Sequence, residues 1–275
     1  MAPATGRNGS GYHPAMSDDR LIAMVDANLV AFARHLATST PAGALEERDD
    51  VLLIAGDEPS AAIVNSAFAI GPKGDPASIL PAAEAFFGRL GHGYGLWTRA
   101  HADRALEAVL PPAGFALIVD LPVMVLEKRP EDPPAPAGAE IRPVIDARGV
   151  EDFRTADRAG FASHDVERAA VDSAFRDAGS LLHPAVAAFV AYVGGVPAAA
   201  AMSFTAFDVA RVAWVGTVPE FRRRGLGRAV TQAAVLAGFD RGGRIAALES
   251  SPAGFPLYRS MGFRTITSYR IWSIG

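Results

Sequence analysis

A proline-rich segment divides the chain into two parts. Residues 127–138 contain four prolines and show no apolar periodicity. Because proline lacks an N–H group and favours extended polyproline geometry, this segment is unsuited to a helix or a central strand. We therefore predict a linker over residues 129–138 between two domains, at 17–128 and 139–275. The polar residues 1–16 are expected to form a disordered tail.

Composition excludes several classes of protein. Half of the residues are hydrophobic and 20% are charged, which supports a sizeable core and excludes wholesale disorder. The absence of cysteine excludes disulfides, thiolate zinc sites, iron–sulfur clusters and a cysteine nucleophile. A net charge of −4 argues against a protein that coats nucleic acid. The sequence shows neither a signal peptide nor an apolar run of about 18 residues, so we expect a cytoplasmic protein without a membrane span.

The part after the linker alternates between strand-like and helix-like patterns. The predicted order is β-α-α-β-β-β-α-β-α-β, an antiparallel meander followed by crossovers. This order predicts an α/β (α+β) fold with a central twisted mixed sheet, complete within residues 139–275. The predicted strands are 140–145, 186–193, 197–205, 211–218, 244–249 and 263–272, and the predicted helices are 147–161, 166–178, 228–239 and 255–260.

The part before the linker repeats the end of this pattern more faintly. Leu110-x-x-x-Gly114-Phe115 matches Tyr258-x-x-x-Gly262-Phe263, and each motif joins a predicted helix to a predicted strand. This match indicates an internal duplication. The alternative is that a helix, a Gly-Phe pair and a strand follow one another independently, as they can in any α/β protein. The predicted elements of this part are helices at 79–90 and 103–110 and strands at 95–98 and 116–127.

The segment Arg222-Arg-Arg-Gly225-Leu-Gly227-Arg228 carries the clearest chemical signal. It lies between a predicted strand and an amphipathic helix. A helix N-terminus has unpaired N–H groups and a partial positive charge, and glycines allow a ligand to approach the backbone. Four arginines in a net negative chain strengthen the case for a bound polyanion such as a pyrophosphate. The alternative is a solvated basic turn that caps the helix.

A Rossmann dinucleotide site is the first ligand class to consider. Such a site requires G-x-G-x-x-G directly after a strand, with an acidic residue about 20 positions later. Glu249 is suitably placed, but Val230 stands where the third glycine should be. Moreover, too few residues follow Glu249 to complete a doubly wound sheet. We therefore reject this class.

The second class is coenzyme A, and here the sequence resembles a known family. Arg222-x-x-Gly225-x-Gly227, together with the downstream Tyr258-x-x-x-Gly262-Phe263, is similar to the pattern of the GNAT superfamily of acyl-CoA-dependent N-acetyltransferases. The resemblance covers essentially all of residues 139–275. It implies tandem GNAT-like domains and acetyl-CoA as the cosubstrate.

The resemblance also implies site residues. The backbone of Thr217 and Val218 would pair with the pantetheine arm and the acetyl carbonyl, with the Val218 N–H polarising that carbonyl. Tyr258 would protonate the departing thiolate, although a tyrosine in an amphipathic helix can also be a plain core residue. The backbone amides that would hold the pyrophosphate are those of Arg223, Arg224, Gly225, Leu226, Gly227, Arg228 and Ala229.

The general base is less clearly indicated. Glu249, at the end of a predicted strand, is a candidate proton acceptor, and a solvated strand-end glutamate is an equal alternative. His164 with Asp165, and His183, are candidates for lining the acceptor pocket, although loop histidines are more often surface residues. The histidines show no metal-ligand spacing, so we predict no metal.

The N-terminal domain is expected to be a degenerate copy. Leu110 stands where the tyrosine would be, and no Arg-x-x-Gly-x-Gly segment precedes the linker. An apolar side chain cannot donate a proton, and without the segment there is no phosphate cradle. We therefore expect residues 17–128 to bind no coenzyme A and to shape the acceptor site. The aromatic residues Phe86, Phe87 and Trp97 are expected to lie in its core.

Three functions remain to be compared. The leading one is an N-acetyltransferase that moves an acetyl group directly from acetyl-CoA to a primary amine of a small molecule or peptide. The alternative is a non-catalytic acyl-CoA-binding sensor or assembly module, which would not need Tyr258. A nucleic-acid binder is opposed by the net charge and by the lack of interleaved aromatic residues. We expect no nucleic-acid or membrane partner and leave a homodimer open.

Overall fold

A computed structural model describes residues 16–39, 43–60, 63–132, 134–162 and 168–274. The predicted tail lies outside these ranges except for Met16, and so do His164 and Asp165. The described residues form eight helices and eleven strands. The helices are α1 Asp18–Thr38, α2 Pro76–Leu90, α3 Arg104–Val109, α4 Ala147–Phe161, α5 Arg168–Ala174, α6 Gly179–Leu182, α7 Leu226–Asp240 and α8 Phe255–Ser260. The strands are β1 Ala44–Arg48, β2 Val51–Ala55, β3 Ser66–Ala69, β4 Gly95–Arg99, β5 Phe115–Leu126, β6 Ala139–Pro143, β7 Val186–Val193, β8 Val196–Ala206, β9 Val209–Thr217, β10 Ile245–Glu249 and β11 Arg264–Ile274.

All eleven strands belong to one mixed sheet. Their order across it is β1-β2-β3-β4-β11-β5-β10-β9-β8-β7-β6. The β3–β4 and β9–β10 pairs are parallel, and the other neighbours are antiparallel. Each half of the chain therefore contributes one parallel pair, and the predicted mixed α/β sheet is confirmed.

Strands β5 and β11 are exchanged between the two halves. In the sheet, β5 lies between β10 and β11, while β11 lies between β5 and β4. Val123 of β5 is opposite both Glu249 and Thr267, and Tyr269 of β11 is opposite Arg99. Contrary to the expectation from sequence, the C-terminal half is therefore not complete by itself. Because of the exchange, β4 has β11 beside it and β10 has β5 beside it, so fewer strand edges are left unpaired.

Helices cover both faces of the sheet. On one face α1, α4 and α5 pack over the strands, and on the other face lie α2, α7 and α8. By length and composition α1 could cross a membrane, but its buried apolar side chains, such as Leu21 and Val25, pack on the sheet. The Asn28 amide of α1 donates to the carbonyl oxygens of Ala206 and Val209, at 2.9 and 3.1 Å. These contacts anchor α1 to the β8–β9 turn.

The predicted bounds of several elements agree with the structure. The helices at 147–161 and 255–260 and the strand at 186–193 have the predicted ends. The predicted helix at 166–178 is instead interrupted, since α5 ends at Ala174 and α6 begins at Gly179. Phe86 and Phe87 lie in the core, as expected, whereas Trp97 is only half-buried.

Candidate active site

The parallel strands β9 and β10 separate at their carboxyl ends. They pair from Ile245–Val209 to Ala247–Arg211, and β9 then continues to Thr217 without β10 beside it. Ligands of α/β sheets commonly bind outside the carboxyl ends of parallel strands. This opening is therefore the first place to look for a site.

The backbone of β9 is distorted beside the opening. Trp214 has a left-handed φ of 52°, and the register with β8 shifts between Ala200 and Met202. Beyond this bulge the Val218 N–H donates to the Ala198 carbonyl oxygen at 3.0 Å. Because N–H groups alternate in direction along an antiparallel strand, the N–H of Thr217 points away from β8 and into the opening.

The role predicted for Val218 is therefore corrected. Its N–H is already bonded within the sheet, so it is not free to polarise a ligand carbonyl. The neighbouring Thr217 N–H has the required direction. The Thr217 carbonyl oxygen in turn accepts from Nε of Arg222 at 3.2 Å, which holds the chain as it leaves β9.

The turn before α7 leaves backbone donors exposed. Arg223 and Gly225 have left-handed φ angles of 64° and 77°, and α7 begins at Leu226 without a side-chain cap. The first helical bond runs from Ala229 N–H to the Gly225 carbonyl at 3.1 Å. The three N–H groups before Ala229 in the helix therefore have no partner within it. This geometry fits a pyrophosphate at the helix N-terminus, and the backbone of residues 223–228 is called the cradle below.

The arginines of this turn differ in their environment. Arg228 Nη2 donates to Ser260 Oγ at 2.6 Å, which ties the start of α7 to α8. Arg224 lies over the ring of Phe221, with its guanidinium carbon 5.6 Å from the ring centroid. The exposed side chain of Arg223 has no partner among the described residues. Arg223 is therefore the guanidinium most available to an anion.

Tyr258 lies beside this cradle in α8. Its ring packs in the apolar cluster that contains Leu226 and Leu248. Burial raises the pKa of Tyr258 to about 12, so the phenol keeps its proton at neutral pH. Within the described ranges no group hydrogen-bonds to its hydroxyl. A protonated, unpaired phenol can donate a proton to a ligand.

Glu249 ends β10 at the other side of the opening. Its Oε2 accepts from Nη1 of Arg211, a fully buried guanidinium that also donates to Asn28 Oδ1 at 3.0 Å. Its other oxygen, Oε1, is buried and has no hydrogen-bond partner in the part of the chain that the structure describes. Glu249 is thus not the solvated residue of the alternative interpretation, since one of its oxygens is ion-paired and the other is unoccupied.

A second carboxyl group, Asp157 of α4, was not singled out from the sequence. It is fully buried, and neither of its oxygens has a partner among the described residues. Burial raises the pKa of Asp157 well above its ordinary value. If Gly216 carried a Cβ, that atom would lie only 2.9 Å from Asp157 Oδ1. The Asp157 carboxyl group therefore lies against the last residues of β9.

Two glycines allow this close approach of α4 to β9. A Cβ on Gly160 would lie 2.7 Å from both the Gly216 Cα and the Thr217 nitrogen. The helix backbone therefore touches the strand backbone at the opening. The spacing of Asp157 and Gly160 on one helix face was the available sequence signal, and it required knowledge of the strand opposite.

The carboxyl groups and the phenol lie on opposite faces of the sheet. Leu248 packs with Tyr258, and the next residue, Glu249, points to the other face because side chains alternate along a strand. Asp157 belongs to α4, which covers the same face as Glu249. The opening therefore has a proton donor on one side and two carboxyl groups on the other.

The remaining candidates lie elsewhere or outside the described residues. His164 and Asp165 are not described. His183 Nδ1 accepts from the Ala185 N–H at 3.1 Å, and its ring lies 4.7 Å from that of His35. Across the described ranges, no three His, Asp or Glu side chains are arranged to hold a metal ion.

Comparisons with known proteins agree on the fold. A GCN5-related N-acetyltransferase from Kribbella flavida is 22% identical, with a TM-score of 0.71 over 92% of this chain and 95% of that chain. A GCN5-related N-acetyltransferase from Sphaerobacter thermophilus is 14% identical, with a TM-score of 0.56 over 94% of both chains. A tandem GNAT protein from the clavulanic acid biosynthesis pathway is 12% identical, with a TM-score of 0.57 over 95% of this chain and 97% of that chain. Among curated proteins no sequence matches this chain.

The sequence comparison assigns the family of the C-terminal half. Residues 150–263 match the acetyltransferase (GNAT) family, a range that includes the β9–β10 opening, the cradle and Tyr258. The structural neighbours extend the fold to the whole chain, including the tandem arrangement. Residues 150–263 of this chain are thus similar to the acetyltransferase (GNAT) family.

Proposed function

We propose that this protein transfers an acetyl group directly from acetyl-CoA to a primary amine of a small molecule or peptide. The observation that carries the proposal is the arrangement around the opening, with a phenol on one face of the sheet and two carboxyl groups on the other. Acyl transfer to an amine must remove a proton from the amine and supply one to the thiolate. The carboxyl groups on one face would take the proton from the amine, and the phenol on the other face would supply one to the thiolate.

Binding is assigned to the backbone of the cradle. The N–H groups of Arg223 to Arg228 would hold the pyrophosphate, with the Arg223 side chain adding charge. The predicted Ala229 contact is left out, because the Ala229 N–H already donates to the Gly225 carbonyl oxygen at 3.1 Å. The Thr217 N–H would donate to the acyl carbonyl as its oxygen becomes negative. Bound acetyl-CoA would supply the acyl group as a reactive thioester. If Gly225 carried a Cβ, that atom would lie 3.6 Å from Pro136, at van der Waals distance. The proline-rich segment therefore runs next to this cradle.

Proton transfer is assigned to the side chains. A carboxylate on the amine side, Asp157 or Glu249, would take the proton that the neutral amine loses as its nitrogen attacks the acyl carbon. The C–N bond would form as the C–S bond breaks, and Tyr258 would give its proton to the sulfur. Asp157 is the better candidate by contacts, since neither of its oxygens has a partner in the described residues, whereas Oε2 of Glu249 is already ion-paired with Arg211.

A non-catalytic acyl-CoA sensor is the competing function. It would use the same cradle but would have no need for a phenol or for unpaired carboxyl groups beside the acyl position. The unpartnered oxygens of Asp157 and Glu249 favour the enzyme, because leaving such groups buried costs stability. No comparable argument favours the sensor.

A thiol-release assay with acetyl-CoA across a panel of primary amines tests the proposal, alongside calorimetry of acetyl-CoA binding. We expect micromolar or tighter binding and amine-dependent release of thiol. Arg223→Gln should weaken acetyl-CoA binding and reduce its dependence on salt, whereas Arg241→Gln, at the other end of α7, should change neither. Binding without thiol release on any amine would favour the sensor, and absence of binding would refute both functions.

A further inference from the structure

The proline-rich segment does more than connect the two halves, because it lies along helix α7. Arg129 Nη1 donates to the Leu236 carbonyl oxygen at 3.2 Å and pairs with the Asp240 carboxylate at 2.8 Å. Further along the segment, the Gln232 amide donates to the Glu131 carbonyl oxygen. The described part of the segment therefore follows α7 from its C-terminal end toward the cradle.

A turn fixes the end of the segment beside the cradle. The Ala139 N–H donates to the Pro136 carbonyl oxygen at 3.0 Å, and Gly138 has a left-handed φ of 73°. A hydrogen bond across four residues, with a glycine of positive φ at the third position, fits a type II turn. Pro136 is half-buried, whereas Pro134 is exposed. The ring of Pro136 is therefore held against the protein at one defined place.

The two glycines of the cradle have different neighbours. If Gly227 carried a Cβ, that atom would lie 3.1 Å from Thr217 Oγ1 and 3.8 Å from Leu257 Cδ2. The neighbour of Gly225 is Pro136, at 3.6 Å from the same hypothetical atom. Positions two residues apart point in nearly opposite directions, since each helical residue turns the chain by about 100°. The cradle therefore lies between the end of β9 on one side and the proline-rich segment on the other.

These two sides give a bound cofactor a direction. Acetyl-CoA carries its acyl arm and its adenosine at opposite ends of the pyrophosphate. The Tyr258 side chain is 7% exposed and its hydroxyl has no hydrogen-bond partner among the described residues, so it marks the acyl end of the site. With the acyl arm running toward Thr217 and Tyr258, the adenosine end leaves the cradle on the opposite side, which is the side of Pro136.

The chemistry of the segment suits this end of the cofactor. Residues 134–138 are all proline, alanine or glycine, so they bring no carboxylate toward the phosphates. The preceding Glu131 lies beside Gln232, about 10 Å along α7 from the cradle at 1.5 Å per residue. The following Glu140 is paired with Arg142. A pyrrolidine ring offers an apolar surface on which a ribose or an adenine can lie out of water.

We propose that the proline-rich segment forms the wall against which the adenosine end of acetyl-CoA binds, with Pro136 as the contact residue. The inference rests on the proposed function, because it requires acetyl-CoA in the cradle. It adds that part of the cofactor site comes from the segment between the two halves, outside residues 150–263, which match the acetyltransferase (GNAT) family. A segment that only connected the halves would have no effect on cofactor affinity.

Calorimetry of the full chain with two ligands tests the proposal. Acetyl-CoA has the adenosine end, whereas S-acetyl-4′-phosphopantetheine keeps the acyl arm and one phosphate but lacks the adenosine. Pro136→Ala should weaken acetyl-CoA binding about 5-fold, because it removes the ring that contacts the adenosine, and should leave the Kd of the shorter ligand unchanged. Pro134→Ala is the matched control at an exposed proline of the same segment, and it should leave both Kd values unchanged.

Pro136→Asp gives a second measurement that does not depend on the loss of the ring. Its carboxylate would lie beside the phosphates, so acetyl-CoA should bind at least about 10-fold more weakly at low salt. Added salt should reduce this difference. Pro112→Asp makes the same change of net charge at an exposed turn of the N-terminal half, and it should bind acetyl-CoA as the parent does.

The outcomes separate this inference from the function on which it rests. Parent-like acetyl-CoA binding by both Pro136 variants would overturn the inference and leave the proposed function intact. An equal loss of both ligands in Pro136→Ala would also overturn it, because the effect would then not involve the adenosine. Absence of acetyl-CoA binding by the parent would refute the proposed function and this inference together.

Discussion

The carbonyl oxygen of Leu110 accepts the N–H of Phe115 at 3.0 Å, and the carbonyl oxygen of Tyr258 accepts the N–H of Phe263 at 3.1 Å. The glycine inside each turn has nearly the same left-handed φ, 91° and 92°. The two residues therefore occupy equivalent positions in the two halves of the sheet. Only Tyr258 can donate a proton there, since the fully buried Leu110 has an apolar side chain.

The exchange of β5 and β11 predicts that the halves depend on each other. Residues 139–275 alone would lack β5 and expose the edges of both β10 and β11. We expect this fragment to aggregate or remain unfolded by circular dichroism, and to fold when co-expressed with residues 1–132. A soluble fragment 139–275 that unfolds cooperatively and binds acetyl-CoA by itself would show that the exchange is dispensable.

Because α4 and β9 are in close contact, adding one methyl group at Gly160 should lower the free energy of unfolding. In Gly160→Ala the new Cβ would lie 2.7 Å from backbone atoms of β9, so α4 must shift. We expect unfolding free energy to fall by about 1–3 kcal/mol in urea denaturation. Gly88→Ala in α2 is the matched control, because nothing lies within 4 Å of its new Cβ. That variant should gain about 0.5–1 kcal/mol, and similar effects of both changes would rule out the tight contact.

The buried carboxyl group predicts a dependence of stability on pH. Burial raises the pKa of Asp157, so its contribution is fully present below about pH 4 and is lost as pH rises through the raised pKa. Asp157→Asn stays neutral at every pH. The variant should therefore be more stable than the parent at pH 8, and this advantage should vanish toward pH 4.

Urea denaturation across this pH range measures the difference. Asp132→Asn, in the exposed proline-rich segment, is the control and should follow the parent. If Asp157→Asn also follows the parent at every pH, the carboxyl group is not held in a desolvated position, and its proposed part in proton transfer loses its physical basis.

Local patterns in the sequence were sufficient for much of the fold. Helix α4 begins as expected because the Asp146 carboxylate caps it, accepting from the Gly149 N–H at 2.8 Å. Helix α8 ends where the glycine turn permits the chain to reverse. Such signals lie within a few residues of the element they define, so a single sequence reveals them.

The same patterns do not show which residues lie side by side in the folded chain. Alternation in β5 indicates which side chains share a face but not which strands lie beside it, so the exchange with β11 was not predicted. Asp157 was not singled out because its burial depends on the contact between Gly160 of α4 and Gly216 of β9, which lie far apart in the sequence. The Val218 N–H was misassigned because the bulge at Trp214 changes which amides of β9 face the opening.

The central claim is that Tyr258 protonates the leaving thiolate in an acetyl-transfer reaction. Its pKa, raised to about 12 by burial, keeps the phenol protonated across the neutral range, so its ionisation should not limit the rate below about pH 11. Tyr258→Phe keeps the ring packed and removes the hydroxyl. Tyr192→Phe is the matched control, because the hydroxyl of Tyr192 in β7 donates to Asp152 Oδ2 in α4, at 2.8 Å.

The most direct measurement is amine-dependent thiol release by these two variants, with acetyl-CoA affinity determined in parallel. We predict that Tyr258→Phe lowers kcat about 10²–10⁴-fold with nearly unchanged affinity for acetyl-CoA, while Tyr192→Phe behaves as the parent. Parent-like turnover by Tyr258→Phe on a verified acceptor would contradict the account, because the tyrosine would then serve only packing.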